Sequence, residues 1–296
     1  MKNTIFTGAA VALVTPFFED GSVDYDSLAR IIDDQIAHGT DALVIAGTTG
    51  EGSTLTEEEH MEVIRFSVEH TAKRVPVIAG TGSNDTACCI RLSKAAKEAG
   101  ADALLLVTPY YNKTTQRGLI AHYTLVADTV DLPIILYNVP SRTGMSIALD
   151  TIDTLANHKN IVAIKEASGN ISFSAQVLER CGDRIDVYSG NDDQIVPMMA
   201  IGAKGVISVL SNVIPQETHD MAQAMLDGDL KKAAALHTKY LNLMNDLFIE
   251  VNPIPVKEAM NLMGMNVGPC RLPLYEMAEN TRAKLLAELQ KQGLAK

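Results

Sequence analysis

Short apolar runs alternate along this chain with amphipathic segments. The runs are rich in Val, Ile and Leu and carry few charges, which is typical of strands covered on both faces of a parallel sheet. One amphipathic segment begins at Thr56 with Glu59 placed to complete a capping box, and others cover residues 86–99 and 116–130. The eight candidate strands are residues 9–15, 42–47, 75–82, 103–109, 133–139, 161–167, 185–190 and 205–210.

A glycine recurs where a helix passes into a strand. In "AHGTDALVIAG", "EAGADALLLVTP" and "AIGAKGVISV", a helical stretch ends just before Gly39, Gly100 or Gly202. Glycine at this position relieves the strain of a left-handed residue after the helix. Eight strands alternating with helices favour an α/β fold of the (β/α)8 TIM barrel type over a doubly wound sheet. No GxGxxG follows the first strand, as a dinucleotide-binding fold would require.

Strand signals stop after about Ser211. The rest of the chain has helical periodicity and is rich in Ala, Leu, Met and Lys. We therefore predict a (β/α)8 barrel over residues 1–225 and a C-terminal helical extension over residues 226–296.

Composition limits the class of protein. The 296 residues are 47% hydrophobic, enough for a large core, and 21% charged without a long run of one sign, which argues against disorder. A net charge of -11 would repel phosphate backbones, so we expect no nucleic-acid partner. No apolar stretch is long enough to span a bilayer, and polar residues interrupt the apolar N-terminal run. We interpret that run as a buried strand rather than a signal peptide, and expect a cytoplasmic protein without a membrane partner.

The cysteines and histidines suggest no metal or disulfide chemistry. Cys88, Cys89, Cys181 and Cys270 lack CxxC spacing, so we expect buried thiols in a reducing compartment. The seven histidines have no metal-ligand spacing, so no metal site is predicted.

A lysine interrupts the apolar run "IVAIKEAS" at residues 161–168. Strand alternation puts Lys165 on the opposite face from Ile164 and Glu166, so it would point into the barrel if Glu166 points toward the helices. Desolvation lowers the pKa of an unpaired amine, and a free amine facing a pocket is what Schiff-base chemistry requires. The alternative is a structural lysine paired with an acid elsewhere.

Polar segments follow several strands at the barrel end where TIM-barrel sites lie. The loop "GTTGEGS", residues 47–53, offers a backbone nest for a carboxylate, or is simply a tight turn. Tyr137 is either an acid/base group or a core residue, and Arg142 either binds a second carboxylate or is solvated. The seventh strand ends in "YSGND". Hydroxyls that could serve a proton relay for Tyr137 are those of Thr48, Thr49, Tyr110 and Tyr111.

Together, "GTTGE", "YNVPSRTG", the early "TPF" and the "IKEASG" segment resemble the dihydrodipicolinate synthase family. This family belongs to the pyruvate-dependent class I aldolases, alongside N-acetylneuraminate lyase. The resemblance covers nearly the whole chain in the same order, and "YNVPSRTG" is its most specific segment. It implies a lyase that condenses pyruvate with L-aspartate 4-semialdehyde on the route to lysine and diaminopimelate. It also implies no cofactor beyond a covalent imine, and a homotetramer built as a dimer of dimers.

The resemblance implies catalytic roles at matching positions. Lys165 would form the Schiff base with pyruvate, and Tyr137 would donate and accept protons. Thr48 and Tyr111 would complete the proton relay, with the tyrosine supplied by a neighbouring subunit.

It also implies binding roles. Thr49, with Thr48, would hold the pyruvate carboxylate, and Arg142 would bind the carboxylate of the aldehyde. Gly190 and Ile207 would line the pyruvate pocket.

Regulated members of the family bind lysine in a cleft at the dimer interface. In this chain Glu57 stands where those members often carry His, and Cys88 stands where they carry an acid. Loss of the acid removes a partner for the lysine ammonium, so the resemblance predicts weak or absent inhibition by lysine. The positions that match the cleft are Ser53, His60, Asn84 and Tyr110.

Three other functions remain open at this point. A sugar-acid aldolase such as N-acetylneuraminate lyase would share Lys165 and Tyr137 but has less need of Arg142. A pyridoxal-phosphate barrel enzyme would use the lysine to hold its cofactor and would be yellow. A sensor barrel would bind pyruvate without turnover and would not need Lys165, Tyr137 and Thr48 together.

Overall fold

Eight parallel strands close into a barrel in which each strand pairs with its neighbour in sequence and the last pairs with the first. The structure is a computed structural model that describes residues 2–296. Every predicted strand is present, and the (β/α)8 TIM barrel is confirmed. The strands are β1 (Gly8–Ala12), β2 (Ala42–Ile45), β3 (Val77–Gly80), β4 (Ala103–Val107), β5 (Ile134–Asn138), β6 (Ile161–Glu166), β7 (Asp186–Ser189) and β8 (Gly205–Ser208).

Helices follow the strands and continue beyond the barrel. Short 3₁₀ helices cover Asp192–Gln194 and Leu210–Asn212. The α-helices are α1 (Tyr25–Ala37), α2 (Glu57–Thr71), α3 (Thr86–Glu98), α4 (Gln116–Val130), α5 (Pro140–Thr143), α6 (Leu149–Leu155), α7 (Ile171–Cys181), α8 (Ile195–Ala200), α9 (Pro215–Leu226), α10 (Leu230–Asp246), α11 (Ile254–Leu262) and α12 (Glu279–Lys291).

The predicted local signals at helix ends are confirmed. The Thr56 side chain accepts a hydrogen bond from the Glu59 amide, and the Glu59 carboxylate accepts one from the Thr56 amide. The glycines after α1, α3 and α8 have left-handed φ angles of +82° at Gly39, +90° at Gly100 and +118° at Gly202. These bonds and turns satisfy backbone groups that a helix end leaves unpaired.

Strand alternation sorts apolar side chains into two cores. Ile164 belongs to the large core between strands and helices, whereas Ala163, on the opposite face of β6, belongs to the cluster inside the barrel. Lys165 follows the parity of Ala163 and is 5% exposed. Inside the barrel, Phe6 stacks on Tyr188 with ring centroids 4.3 Å apart, so the interior near the start of β1 is filled.

The C-terminal helices share the outer core of the barrel. Leu243 of α10, Val256 of α11 and Leu285 of α12 are fully buried in the same apolar cluster as the barrel helices. The division into residues 1–225 and 226–296 stays a prediction, and its first residue, Met1, lies outside the described residues. No helix within residues 2–296 is long and apolar enough to cross a membrane.

The cysteines depart in part from the expectation. Cys89 and Cys181 are buried free thiols, as expected, but Cys88 and Cys270 are only half-buried. Cys88 lies in the first turn of α3 beside a surface cavity, and Cys270 lies in the loop before α12. The expectation of four buried thiols is therefore wrong for these two, because they sit on surface turns rather than on core-facing positions.

Candidate active site

A cavity of about 490 Å³ opens at the C-terminal ends of the strands. Its wall comes from β1, β2, β4, β5 and β6, from the loops after β2, β5, β6, β7 and β8, and from α10 and Asn252 of the loop before α11. The predicted residues on this wall are Thr48, Thr49, Tyr137, Arg142, Lys165 and Gly190.

Lys165 stands on β6 in register with Tyr137 of β5, so both side chains lie on the inner face. Its Nζ is 4.5 Å from the Tyr137 ring centroid, and no carboxylate of residues 2–296 lies within 4.0 Å of it. Burial lowers the pKa of the Lys165 amine to about 8; the charge of Asp192 opposes this shift and that of Arg142 adds to it. An appreciable fraction of free amine is therefore present near neutral pH.

Glu166 points away from the cavity, as strand alternation predicts. Its Oε2 accepts a hydrogen bond from Asn138 Nδ2 at 2.7 Å, and its Oε1 accepts one from the Ser168 amide at 2.6 Å. The carboxylate is engaged on the outer face and does not pair with Lys165.

Asp192 is a cavity residue to which the sequence patterns assign no role. It is 3% exposed, and its Oδ2 accepts hydrogen bonds from the amides of Val209 at 3.1 Å and Leu210 at 2.9 Å. Burial raises the pKa of Asp192, against those hydrogen bonds and the nearby charge of Lys165. The "YSGND" segment at the end of the seventh strand is the signal that could have identified it.

Tyr137 is a buried phenol beside the amine. Burial raises its pKa, while the charge of Arg142 and a hydrogen bond with Thr48 lower it. Of the residues predicted to form a proton relay, Thr48 is therefore the one that contacts Tyr137 within this chain. Tyr111 lies on the loop after β4, with φ +66° and 91% exposure, outside the cavity. The chain by itself does not bring Tyr111 to Tyr137.

The loop of residues 47–53 folds tightly around Gly50 and Gly52, which have no space for a side chain. A Cβ at Gly52 would lie 2.2 Å from the Ala46 carbonyl oxygen. The Gly52 amide donates to the Gly47 carbonyl at 3.1 Å, and the Glu51 amide donates to the Thr48 carbonyl at 3.1 Å. These bonds present Thr48 and its neighbour Thr49 to the cavity.

The residues predicted to bind substrate differ in depth. Arg142 lies in α5, and its Nη2 donates to the Asn252 carbonyl at 3.2 Å. Gly190 leaves room at the amine, because a Cβ there would lie 3.1 Å from Lys165 Cε and 2.6 Å from the Ala167 Cβ. Ile207 is fully buried inside the barrel, below the cavity wall, where Val209 lies instead.

Asn252 is a second cavity residue that the sequence patterns do not identify. Its Nδ2 donates to Thr49 Oγ1 at 3.0 Å, and its side chain is 4% exposed. Asn252 therefore contacts both a predicted pyruvate-binding residue and, through its carbonyl, Arg142. It lies in the loop between α10 and α11, and the sequence around it contains no recognisable motif.

A second cavity of about 420 Å³ adjoins the first and shares Thr48, Tyr137 and Arg142 as a common wall. Glu57 lines it, and Glu57 Oε2 accepts a hydrogen bond from Arg91 Nε at 2.8 Å. Asn84 is not on its wall; the Asn84 carbonyl accepts a hydrogen bond from Asn112. The predicted regulatory residues on the wall are Ser53, His60 and Tyr110, together with Cys88.

The first cavity combines the groups needed for imine chemistry. It holds an amine with a lowered pKa, a phenol in contact with a hydroxyl, and hydroxyl and guanidinium donors for carboxylates. Within residues 2–296, no three or more His, Cys, Asp or Glu side chains come together in an arrangement that could hold a metal ion.

Comparison with known proteins assigns the family. The model of the dihydrodipicolinate synthetase family matches residues 5–292. A protein of Lachnoclostridium phytofermentans named 4-hydroxy-tetrahydrodipicolinate synthase is 59% identical over 292 residues, covering 98% of this chain and 99% of that protein.

Solved structures agree with the sequence match. The dihydrodipicolinate synthase of Aquifex aeolicus is 49% identical with a TM-score of 0.96, and the alignment covers 98% of this chain and 99% of that one. The chloride-inhibited dihydrodipicolinate synthase of Acinetobacter baumannii, solved with pyruvate, is 46% identical with a TM-score of 0.96, covering 98% of this chain and 100% of that one. This chain therefore belongs to the dihydrodipicolinate synthetase family.

Proposed function

We propose that this chain is a 4-hydroxy-tetrahydrodipicolinate synthase, a lyase of lysine and diaminopimelate biosynthesis. Its substrates are pyruvate and L-aspartate 4-semialdehyde. The observation that carries the proposal is the buried Lys165 amine, with a pKa of about 8 and no carboxylate of residues 2–296 within 4.0 Å, at the wall of a cavity. The names of the relatives and the pyruvate complex of the Acinetobacter baumannii protein support the choice of substrate.

The first step forms the imine. The free amine of Lys165 attacks the keto carbon of pyruvate, and the carbinolamine loses water to give a protonated imine. Thr48 and Thr49 bind the pyruvate carboxylate through amide and hydroxyl donors. The space left by Gly190 at Lys165 Cε admits the small substrate.

Carbon–carbon bond formation follows. The protonated imine withdraws electrons, so a methyl proton leaves to the Tyr137 oxygen while the phenol proton passes to Thr48, whose own hydroxyl proton moves on along the relay to solvent. The enamine carbon attacks the aldehyde carbon, and the resulting alkoxide takes a proton from the tyrosine. Arg142 binds the aldehyde substrate through its carboxylate. The amino group of that substrate then attacks the imine carbon, closes the ring and releases the Lys165 amine.

The proposal includes the assembly. A homotetramer, built as a dimer of dimers, would place Tyr111 of one subunit in the relay of its neighbour, and the 91% exposure of Tyr111 in the isolated chain supports this arrangement. We propose a cytoplasmic enzyme without nucleic-acid or membrane partners. The covalent imine at Lys165 takes the place of a cofactor, and no metal takes part.

Weak or absent inhibition by L-lysine is also part of the proposal. Glu57, the carboxylate on the wall of the second cavity, is already bound by Arg91, and Cys88 supplies no charge for an ammonium. Half-inhibition of turnover at micromolar L-lysine would contradict this part.

Trapping the imine tests the function. Incubation with pyruvate and borohydride should add a pyruvyl group to Lys165 and to no other lysine, as peptide mass mapping would record. A coupled assay should then show turnover with L-aspartate 4-semialdehyde and not with sugar acids, and the purified protein should be colourless. An adduct elsewhere, or turnover of a sugar acid alone, would overturn the proposal.

A further inference from the structure

The loop that carries Thr48 and Thr49 is held from outside by a second buried lysine. Lys257 of α11 is 1% exposed. Its Nζ donates hydrogen bonds to Glu51 Oε1 at 2.9 Å, to the Thr15 carbonyl at 3.0 Å and to the Pro269 carbonyl at 2.5 Å. All three protons of the ammonium are therefore used, and Lys257 has none left for a substrate.

Glu51 receives bonds from the C-terminal segment on both carboxylate oxygens. Oε1 binds Lys257, and Oε2 accepts the backbone amide of Arg271 at 2.9 Å. The Glu51 backbone has φ +53°, in the left-handed region that a side chain disfavours. A residue keeps this conformation only where its surroundings determine it, and here both oxygens of its carboxylate are fixed.

Contacts from outside the loop continue along three consecutive residues. Thr49 accepts a hydrogen bond from Asn252, the Gly50 carbonyl accepts one from Thr15 Oγ1 at 2.6 Å, and Glu51 is bound by Lys257. The Thr15 carbonyl is itself a Lys257 acceptor. A movement of the Lys257 ammonium would thus reach the loop by two routes, through Glu51 and through Thr15.

We propose that Lys257 and Glu51 are positioning residues of the active site. Their ion pair sets the loop of residues 47–53 so that Thr48 contacts Tyr137 and Thr49 lines the cavity; the inference rests on the proposed function. A buried ion pair is weak evidence for stability, because its desolvation offsets its attraction, but its fixed hydrogen bonds can specify one geometry. Active-site geometry is sensitive to shifts of about 1 Å, so a pair that specifies the loop sets the rate.

Neutral variants separate positioning from folding. In the double variant Glu51→Gln with Lys257→Met, no unpaired charge remains buried, so the barrel should fold with native circular dichroism. We expect kcat to fall by roughly 10- to 100-fold, and the KM for pyruvate to rise, because the loop no longer holds its place. The pH at which borohydride trapping is half-maximal should stay that of the native enzyme, since Lys165 is untouched.

Two further variants complete the design. Glu258 follows Lys257 on α11 and pairs with Arg282. Glu258→Gln removes that ion pair and should leave kcat and KM unchanged. Lys257→Arg keeps the charge but cannot reproduce the three bonds of an ammonium, so it should fold and still lose activity. If the double variant fails to fold, Lys257→Arg tests the inference by itself: lost activity in the folded protein supports a positioning role, and native activity contradicts it.

The readouts keep this inference apart from the proposed function. Hydrogen exchange of the amides of residues 48–54 should be faster in the double variant than in the native protein and unchanged in Glu258→Gln. If native protein traps no pyruvate on Lys165, the proposed function fails, and exchange alone tests the loop. Native kinetics with native exchange in a folded Lys257→Arg or double variant would overturn the inference.

Discussion

Two buried lysines in this molecule have similar surroundings and different partners. Lys165 lies 4.5 Å from the ring centroid of Tyr137, and Lys257 lies 4.4 Å from that of Phe17. Burial lowers the pKa of each amine, a nearby arginine adds to the shift and a nearby carboxylate opposes it. Lys257, however, bonds its carboxylate Glu51 at 2.9 Å, whereas Lys165 has no carboxylate of residues 2–296 within 4.0 Å.

The difference teaches that burial alone does not make a lysine a nucleophile. The Lys257 ammonium donates its three protons to hydrogen bonds and lines neither cavity, so it offers no lone pair to a substrate. Lys165 faces a cavity and lacks a bonded acid, so the same burial frees its amine. The following substitutions test the amine, the aromatic ring, the arginine and the carboxylate in turn.

Removal of the amine should have the largest effect. Lys165→Met should lower kcat on the order of 10⁴-fold or more, as loss of a covalent nucleophile does. The free energy of unfolding of this variant should equal or exceed that of the native protein, because the substitution removes a buried ammonium that has no bonded acid. Lys257→Met should instead lower the free energy of unfolding by about 3–5 kcal/mol, measured in urea, because the Glu51 charge is left without its partner. Equal stability losses in the two variants would break the comparison.

The stability gain of Lys165→Met should depend on pH. The folded pKa of Lys165 is lowered to about 8 from its ordinary value of 10.5. Below pH 8 the folded state holds a charged, buried amine, and this cost disappears as pH rises toward 10.5. The advantage of the variant should therefore be full below pH 8 and should shrink above it, as urea midpoints at several pH values would record.

The ring is tested by making it the same for both lysines. Tyr137→Phe gives Lys165 the kind of ring that Lys257 has in Phe17, so only the hydroxyl is lost. We expect kcat to fall by about 10²- to 10⁴-fold, the contribution of a general acid or base. Borohydride trapping of pyruvate should still label Lys165. An unchanged kcat would remove Tyr137 from the proton relay.

The arginine near Lys165 should have two separable effects. Arg142→Met should raise the KM for L-aspartate 4-semialdehyde roughly 10- to 100-fold, because a charge-assisted hydrogen bond is lost. It should also move the pH profile of pyruvate trapping to higher pH, since the Arg142 charge lowers the pKa of Lys165. Arg282→Met, at an exposed position on α12, serves as the control. A profile that moves to lower pH would contradict the assignment.

The carboxylate should have the smallest effect. Asp192→Asn removes a charge that raises the pKa of Lys165, so the pKa should fall. Because the free amine reacts, pyruvate trapping should then begin at lower pH. The amide oxygen can still accept the Val209 and Leu210 hydrogen bonds. No shift, or a shift to higher pH, would show that Asp192 does not act on Lys165 as Glu51 acts on Lys257.

Local and periodic features could be predicted from the sequence, and from them the (β/α)8 barrel itself. Alternation along β6 predicts that Lys165 and Glu166 face opposite ways, and their neighbours in the structure agree with this. The capping box at Thr56 and the glycine at Gly39 depend on contacts a few residues apart, so they can be read from the pattern. The roles of the site residues stay predictions until the variants are made.

Depth and long-range pairing could not be predicted. Ile207 and Val209 share strand parity, so alternation does not tell which of them reaches the cavity wall, and only Val209 does. Lys257 is buried on α11, and nothing in the sequence of that helix points to Glu51, which is 206 positions earlier. The sequence contains no local signal for such a contact, since it depends on how whole layers pack.

The link between Glu51 and the C-terminal segment has a consequence for protein synthesis. The Glu51 carboxylate can accept its hydrogen bond from the Arg271 amide only after that residue, 220 positions later, has been made. At about 5–20 residues per second, translation takes roughly 10–40 s to make that stretch. If Lys257 and Glu51 position the loop of residues 47–53 as we propose, that loop lacks its contacts with Lys257 and Arg271 until residue 271 has been made, and we expect the active-site geometry to form only after that point.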